Sequence, residues 1–545
     1  MNRSDFDKVF LGREDILEIL KKRISGLKDG YRQNVALLGN PNIGKTTLLK
    51  HFLHNLDDQK VSSIHLDLGN KDFTYFLNKF VGSLLYSYCK NHGLPIHNQI
   101  PVLMESAKLK IPYTLSVIKK IYQDFEKGKF AECYLGLLNL PEVFTNETGT
   151  FAVLVFDEFQ NIEEFQIPEV FQNLGKKIMT QKRCLYILSS SYEALAKKII
   201  GEKLSLLFGN FEVIPVEAFD AKSSQQCIER NLGEVKIGAQ LRNFIIDFAG
   251  GHPLYLNLIS QETHNLAAIY RQTEIYMPII VQAIENTIFD RWGVISRHFE
   301  LIVNEISSAK VNAMTVPVLL SMAAGKNKLE DIVSDLNVKK SLVAQRLARL
   351  IELGIVVKNG NFHYFKDKLF KYWIKYVYQR RLKAVDFSSE SQQKEFKDEI
   401  NSCIEEFKLT SRKDFSSRIV DLLSCFDNES FQLNGRKYKI PPFRTIEPVK
   451  LSFGYSNAYD LIKATTESGV WVVVLKKESF GEQEVNSIVA ESKKMGGKPE
   501  RCMIISLTDL DENAKLRALQ EKFWVWCEGE LNTVLTLFDK PSISR

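Results

Sequence analysis

The sequence has no closely spaced pair of cysteines. Its eight cysteines stand at positions 89, 133, 184, 227, 403, 425, 502 and 527, and no two of them have the C-x-x-C spacing. This pattern excludes the usual zinc-binding and dithiol redox motifs. Scattered thiols are typical of a protein that stays reduced in the cytosol.

Long apolar runs are also missing. The longest, such as residues 470–475, are too short to span a bilayer, and residues 1–5 carry no apolar stretch of a signal peptide. We therefore expect a cytoplasmic protein without a membrane segment. The net charge of +6 over 545 residues is mild. It permits a local basic surface but does not by itself indicate nucleic acid.

What the sequence does contain is a complete G-x-x-x-x-G-K-[ST] pattern. An apolar run at 35–38 precedes it and predicts a buried strand, and residues 47–53 have helical spacing. A turn before an unrelated helix is the alternative, and the strand and helix on either side argue against it. The pattern, with the threonine that follows it, comprises Gly39, Asn40, Pro41, Asn42, Ile43, Gly44, Lys45, Thr46 and Thr47.

This loop has the chemistry to hold a triphosphate. Glycine at 39 and 44 permits backbone angles that a side chain forbids and lets the chain approach the phosphates. Amide groups at the start of a helix attract anions. Lys45 adds a positive charge at the β- and γ-phosphates, and the Thr46 hydroxyl is a ligand for Mg²⁺. ATP and Mg²⁺ are therefore the expected cofactors.

A second motif ends a second apolar strand. Residues 151–156 are continuously apolar and lead into Asp157 and Glu158, as expected for a buried parallel strand. Ligands bind beyond the carboxyl ends of such strands. We expect Asp157 beside Mg²⁺ and Glu158 beside the γ-phosphate, where it can activate water. A core strand that ends in surface acids is the alternative.

A third apolar strand, residues 184–188, ends in serines. A polar residue at this point can sense the γ-phosphate, and Ser189 is the first candidate, followed by Ser191. A serine-rich turn before the next helix fits the sequence equally well.

Taken in order, the motifs resemble the archaeal-type ATPases of the STAND branch of AAA+-like P-loop proteins, relatives of origin-recognition-type initiators. The resemblance covers residues 8–380. It depends on the segment 10–14 with its Gly-Arg-Glu, the P-loop, the Asp-Glu-Phe-Gln at 157–160, the serine-ended strand and the Gly-Gly-His-Pro at 250–253.

The resemblance implies further residue roles. Arg13 would lie near the nucleotide base, and Pro253 would contact the nucleotide from a helical lid. Relatives often carry Gly-Arg where this chain has Gly209-Asn210, and Asn210 cannot act as an arginine finger. Either another arginine supplies that charge, or hydrolysis is slow and binding is the main event.

Behind the lid, the pattern predicts a winged helix. Helices are expected at 316–324, 329–336 and 341–353, with a hairpin at 355–365 turning at Asn359-Gly360. The third helix and the turn before it are expected to expose side chains that can contact double-stranded DNA. Use of this domain for protein contacts alone is equally compatible with the sequence. The candidate DNA-contacting residues are Lys339, Lys340, Ser341, Gln345, Arg346 and Arg349.

Residues 365–378 interleave aromatic residues with lysines. Such a segment can stack on single-stranded nucleic acid. The spacing favours the other interpretation, an amphipathic helix whose aromatic side faces a core.

The C-terminal region resembles the restriction-endonuclease-like fold, which follows some members of the family. Its active site needs a D…E-x-K set that holds Mg²⁺. Asp460 and Lys476 can supply the first acid and the lysine, but Val474 stands where the second carboxylate belongs. We therefore predict a degenerate domain that does not cleave nucleic acid.

The predicted fold is α/β, with a P-loop core (1–220), a helical lid (221–300), a winged helix (301–385) and a C-terminal α/β domain (386–545). The leading function is a Mg²⁺-dependent ATPase that acts as a switch, repositioning the winged helix and the C-terminal domain. The alternative is a DNA-binding, initiator-like regulator in which nucleotide is mainly structural. A protein partner or a homo-oligomer is also compatible with the sequence. A GTPase is disfavoured because no N-K-x-D motif follows the core.

Overall fold

A computed structural model describes residues 10–204, 211–307, 314–385, 389–450, 460–494 and 499–543. The chain divides into two compact units. The first extends to Phe219 and includes two short segments, His252–Leu254 and Glu352–Gly354. The second comprises Asp220–Gly251, Tyr255–Ile351 and the chain from Ile355 onward.

The first unit is built around a five-stranded sheet in which every strand pair is parallel. The strand order is β2-β3-β4-β1-β5, which confirms the predicted parallel α/β fold. The strands are β1 (Asn34–Leu38), β2 (Val61–Asp67), β3 (Phe151–Asp157), β4 (Cys184–Ser190) and β5 (Phe211–Pro215). The helices are α1 (Glu14–Lys28), α2 (Lys45–His54), α3 (Phe73–Asn91), α4 (Ile100–Ala107), α5 (Pro112–Glu126), α6 (Phe130–Thr148), α7 (Val170–Thr180) and α8 (Glu193–Lys198).

Strand β3 is apolar throughout because both faces of the sheet are covered. Val153 and Val155 face one core, which they share with α1 and α2. Leu154 and Phe156 face the other core, which includes residues of α3, α6 and α7. A strand covered on both faces carries no polar alternation, so the sequence shows one unbroken apolar run that ends where the sheet ends.

The second unit begins with helices and two two-residue strands. A five-residue π-helix, Glu285–Phe289, continues α12, and another, Ile374–Tyr378, links α17 to α18. The helices are α9 (Ala221–Leu232), α10 (Ala239–Ala249), α11 (Pro253–Ile269), α12 (Met277–Ile284), α13 (Val294–Ser307), α14 (Thr315–Ala323), α15 (Leu329–Leu336), α16 (Lys340–Glu352), α17 (Lys368–Trp373) and α18 (Gln379–Lys383). The strands are β6 (Lys236–Ile237) and β7 (Glu274–Ile275).

Helices α14, α15 and α16 are followed by an antiparallel hairpin of β8 (Val356–Asn359) and β9 (Phe362–Phe365). This is the element order that the sequence predicts for a winged helix, and that name stays a prediction. Gly360 at the turn has a φ of 61°, as the Asn-Gly hairpin signal requires.

The aromatic segment after the hairpin is part of a core. Phe370 is 3% exposed and Trp373 is fully buried, and their rings are stacked with centroids 6.2 Å apart. The amphipathic-helix interpretation is therefore confirmed for these two side chains, which are not available to stack on nucleic acid.

The C-terminal part contains a mixed five-stranded sheet of order β12-β13-β14-β15-β16. The pairs β12–β13 and β13–β14 are antiparallel, and the pairs β14–β15 and β15–β16 are parallel. The strands are β12 (Thr445–Lys450), β13 (Asp460–Thr465), β14 (Val470–Lys476), β15 (Arg501–Ser506) and β16 (Trp524–Trp526). The helices of this part are α19 (Glu390–Arg412), α20 (Phe415–Leu423), α21 (Glu482–Lys494), α22 (Glu512–Gln520) and α23 (Glu528–Leu537).

The segment that precedes this sheet is a hairpin of β10 (Glu429–Leu433) and β11 (Arg436–Ile440), because Asn434 and Gly435 both have positive φ and form the turn. Strand β12 contains Pro448, which is tolerated because β12 is an edge strand.

Within the described ranges, no helix has the length and apolar character needed to cross a bilayer.

Candidate functional site

The strand order brings three polar strand ends together. Strand β4 lies between β3 and β1, and the register pairs Asp157 with Ser189 and Leu38 with Ser190. Because all strands are parallel, their carboxyl ends meet at one edge of the sheet. The loop after β1, the two acids after β3 and the serines after β4 therefore form one site.

The backbone of the loop depends on its two glycines for different reasons. Gly44 has a φ of 98° and caps the N-terminus of α2, which a residue with a Cβ adopts at a cost. Gly39 does not have a positive φ. A Cβ at Gly39 would lie 2.2 Å from the carbonyl oxygen of Val216, so glycine is needed there for space.

Lys45 is a buried cation within the loop. Its side chain is 3% exposed, and its Nζ donates to the carbonyl oxygens of Gly39 at 3.1 Å and Asn40 at 2.9 Å. It also donates to the Ser191 Oγ at 2.8 Å and lies 4.0 Å from the Glu158 carboxylate. The amine is thus held at the mouth of the loop by oxygen atoms that a bound phosphate can replace.

Asp157 connects the loop to β4. Its Oδ2 accepts a hydrogen bond from the Thr46 Oγ1 at 2.5 Å, and its Oδ1 accepts one from the Ser189 hydroxyl. Ser189 is fully buried, and its hydroxyl positions Asp157. Its role as a γ-phosphate sensor stays a prediction.

Glu158 is held in place by its neighbours. Its φ of 52° is left-handed, an uncommon conformation for a residue with a side chain and one that recurs at functional sites. Its carboxylate accepts hydrogen bonds from the Ser191 hydroxyl, from the Ser191 N–H at 3.0 Å and from the Gln160 Nε2 at 2.9 Å. Ser191 thus bridges Glu158 and Lys45, and it is the better sensor candidate.

Gln160 is a site residue that the sequence analysis did not single out. It is 5% exposed, and its Oε1 has no hydrogen-bond partner among the described residues. The only sequence signal was its place two residues after Glu158, within the motif at 157–160 that carries the family resemblance.

Arg13 forms a hydrogen bond with the backbone of the loop. It donates to the carbonyl oxygen of Ile43 at 2.9 Å and to that of Glu217 at 2.7 Å, and its guanidinium lies over the Phe219 ring. Burial lowers the pKa of Arg13, and Asp15 and Glu217 oppose that shift. Contact with a nucleotide base stays a prediction.

In the Gly-Gly-His-Pro segment, His252 contacts the loop. The His252 ring is 6% exposed, and its Nε2 lies 3.2 Å from the carbonyl oxygen of Pro41. Pro253 is buried and begins α11, and its contact with nucleotide stays a prediction. Among the remaining loop residues, Asn42 and Thr47 are exposed, and Ile43 packs into the core under the loop.

The residues present fit Mg²⁺. Thr46 and Asp157 offer a hydroxyl and a carboxylate on adjacent positions, and Mg²⁺ favours oxygen ligands with one or two carboxylates, completed by phosphate and water. No group of three or more His, Cys, Asp or Glu side chains that could hold a metal occurs in the described part of the chain. A metal at this site would therefore take its remaining ligands from phosphate and water.

The candidate DNA-contacting residues divide into two groups. Lys339, Lys340, Ser341 and Gln345 are exposed at or just before the first turns of α16, and Arg349 is exposed in its last turn. The Lys340 amine pairs with Glu330 at 2.6 Å, an exposed pair that a phosphate can displace.

Arg346 does not belong with them. It is 7% exposed, because the buried residues of α16 are Val343, Arg346, Leu347 and Leu350. Positions three, four and seven apart share one helix face, so Arg346 lies within the buried face. The expectation that Arg346 is exposed to DNA is wrong.

The tip of the β8–β9 hairpin is also occupied. The Asn361 N–H donates to the Ser430 carbonyl oxygen at 2.9 Å, and the Asn359 amide exchanges two hydrogen bonds with the Gln432 backbone, at 3.0 and 2.6 Å. A Cβ at Gly360 would lie 1.9 Å from the Ser430 oxygen. The hairpin tip is bound to strand β10 and does not present a free edge.

The nuclease-like residues do not form a site. Register pairs Asp460 with Leu475, so these two share a face of the sheet. Lys476 follows Leu475 and therefore points to the opposite face, where Val474 packs. The Lys476 amine instead pairs with Glu484 at 2.7 Å. The predicted lack of a D…E-x-K site thus has a second cause, the opposite facing of its acid and lysine.

The predicted departure at Gly209-Asn210 lies outside the described residues.

No protein-family model and no curated protein matches the chain. Among solved structures, the chain is similar to a Walker-type ATPase of Pyrococcus abyssi, with 16% identity over 68% of this chain and 97% of that one and a TM-score of 0.49. It is also similar to the Aeropyrum pernix ORC2 protein, with 14% identity, coverage of 70% and 99%, and a TM-score of 0.43.

A third neighbour is the Thermotoga maritima RuvB Holliday junction branch migration motor, with 15% identity, coverage of 67% and 96%, and a TM-score of 0.32. None of the three TM-scores reaches 0.5, so the functional assignment depends on this chain's own geometry.

Proposed function

We propose that this chain binds ATP with Mg²⁺ and hydrolyses it. One observation carries the proposal: at the end of a parallel sheet, Lys45 lies 4.0 Å from Glu158, and Thr46 lies 2.5 Å from Asp157. Behind them, Gly44 begins helix α2 in a left-handed conformation. A cation, a helix N-terminus and two acids around one loop form the site that a nucleoside triphosphate requires.

Each residue has a role in this proposal. Lys45 binds the β- and γ-phosphates, and Thr46 and Asp157 hold Mg²⁺, which supplies charge neutralisation when bound. Ser189 fixes the orientation of Asp157. Glu158 orients the attacking water and accepts its proton.

Ser191 gives the site a means of sensing the γ-phosphate. Its hydroxyl accepts from Lys45 and donates to Glu158. When the Lys45 amine and the Ser191 hydroxyl turn to a γ-phosphate, Glu158 loses the hydrogen bond from that hydroxyl, and the freed carboxylate oxygen can accept one from water.

The proposal includes a switch role. His252 contacts the loop at Pro41 and directly precedes helix α11. A change in the loop on binding or hydrolysis therefore reaches α11 through this imidazole. The winged helix and the C-terminal domain are the segments whose position would respond.

Fewer residues are available to contact DNA than the sequence predicted. Arg346 is buried and the hairpin tip is bound to β10, which leaves Lys339, Lys340, Gln345 and Arg349 as possible contacts. No observation in the second unit favours DNA over a protein partner or a second copy of the chain.

One experiment tests both functions. ATP turnover is measured with and without duplex DNA, for the unmodified chain and for the Lys45→Ala variant. We expect turnover that requires Mg²⁺ and is lost in the variant. Turnover that persists in Lys45→Ala contradicts the site assignment, whereas DNA binding at low salt without any turnover favours the regulator alternative.

A further inference from the structure

The first unit contains a second cavity, separate from the loop at 39–46. Its volume is about 830 Å³, and it is bounded by the later turns of α2, by β2, by α3 and by the chain from His97 to Leu103. Strand β2 is the outermost strand of the sheet, so one of its edges faces this cavity rather than another strand.

The charged side chains in the lining of this cavity are all lysines. The lining contains three lysines, three histidines and no aspartate or glutamate. None of the three lysines forms a salt bridge with any residue in the described ranges. These six residues are Lys50, Lys79, Lys90, His54, His65 and His97.

His65 supplies a buried polar atom without a partner. Its Nε2 is buried and makes no hydrogen bond with the described residues. Burial lowers the pKa of His65, with Lys50 and Lys79 acting in the same direction and Asp157 and Asp67 opposing them. An unsatisfied buried nitrogen costs free energy that a ligand oxygen can recover.

Polar groups from α3 already satisfy part of the β2 edge. The Ser63 N–H donates to the Ser87 Oγ at 2.9 Å, and the Asn91 amide donates to the Val61 carbonyl oxygen at 2.9 Å. The lining therefore contains polar groups besides its lysines, and a purely apolar ligand does not match it.

We propose that this cavity binds a small organic molecule that carries at least two phosphate groups. The absence of carboxylates in the lining selects an anion. The three lysines come from two helices, α2 and α3, so they can contact more than one phosphate. Tyr75 and Tyr86 also line it and offer rings for the organic part of the ligand.

The test uses the full-length chain with the Lys45→Ala substitution, which removes phosphate binding at the first site. Binding of sodium tripolyphosphate is measured by calorimetry, with and without the additional Lys79→Gln and Lys90→Gln substitutions. The control carries Lys119→Gln and Lys120→Gln, two exposed lysines of α5 that change the net charge equally.

We expect the Lys45→Ala chain to bind tripolyphosphate and the Lys79→Gln, Lys90→Gln chain to bind it about tenfold more weakly, because charge-assisted contacts are lost. The control should bind as Lys45→Ala does. Loss of all binding in Lys45→Ala alone would overturn the proposal, as would equal weakening in the control. Displacement of tripolyphosphate by an oligothymidylate strand would also overturn it, in favour of a nucleic-acid surface. This site is independent of the proposed ATPase, because Lys45 is absent throughout.

Discussion

The two five-stranded sheets of this chain both end apolar strands in charged residues, yet among the described residues those of the first sheet meet across strands and those of the second do not. In the first sheet, register pairs Asp157 with Ser189, so the two side chains share a face and are hydrogen bonded. In the second, Asp460 and Lys476 are one register position apart and face opposite sides. A one-residue difference in register separates residues that the sequence places at similar strand ends.

The lysines beside the two sheets also differ in their hydrogen-bond partners. Lys45 is held by two backbone carbonyl oxygens and a serine hydroxyl, groups that a phosphate can replace. Lys476 donates to the carboxylate of Glu484 and to the carbonyl oxygen of Ser479. Its charge is already neutralised by a carboxylate, and that pair lies away from Asp460.

The largest difference between the sheets should appear when each lysine is removed. We expect Lys45→Ala to weaken ATP binding about 1,000-fold, since two charge-assisted hydrogen bonds of about 2 kcal/mol each are lost. Lys476→Ala should leave ATP binding unchanged. Calorimetric titration with ATP and Mg²⁺ measures both, and comparable weakening in the two variants would show that Lys45 has no special role.

The next effect concerns Glu158. Glu158→Gln should retain ATP binding and lower kcat about 100- to 1,000-fold, because removal of a general base typically has this effect. Single-turnover hydrolysis measures the change. The matched variant in the second sheet, Glu484→Gln, should hydrolyse ATP at the normal rate. A Glu158→Gln enzyme with normal kcat would mean that water is activated elsewhere.

Acid should lower the free energy of unfolding through a buried histidine of the second unit. Burial lowers the pKa of His363, on β9, to about 4, with Lys358 acting in the same direction. A histidine whose pKa is lower in the folded state binds its proton mainly when unfolded, so stability falls as pH drops from about 6.5 toward 4. The loss should approach about 3 kcal/mol near pH 4.

Urea unfolding at pH 7 and at pH 5 tests this, with His363→Gln beside the unmodified chain. The variant should lose less stability between the two pH values than the unmodified chain. An identical loss in both chains would assign the acid sensitivity to other groups, among them His65 in the first unit, whose pKa burial also lowers.

The smallest effect separates the two serines of β4 and its following turn. Ser191→Ala should change kcat about tenfold, because Glu158 loses its hydroxyl partner and the bridge to Lys45. Ser189→Ala should instead raise the Mg²⁺ concentration needed for half-maximal turnover, since it loosens Asp157. The opposite pattern would favour Ser189 as the residue that senses the γ-phosphate.

Local sequence was enough for the elements of the first sheet. The apolar runs before Gly39 and before Asp157 predicted β1 and β3, and a full P-loop pattern predicted the start of α2. It was not enough for the choice between Ser189 and Ser191, because β4 ends at Ser190: Ser189, inside the strand, donates to Asp157, whereas Ser191, in the turn that follows, contacts Lys45 and Glu158. Local sequence also did not predict that Arg346 lies on the buried face of α16, together with Val343 and Leu347.

The sequence by itself determined which residues can bind a polyphosphate and where the buried strands run, since both follow from residue types and their spacing over a few positions. The tertiary structure alone decided which of those residues meet. Strand order put β4 between β3 and β1, and register set Asp157 against Ser189 but turned Asp460 away from Lys476. These contacts join residues tens of positions apart, and the packing that selects them is a property of the whole sheet.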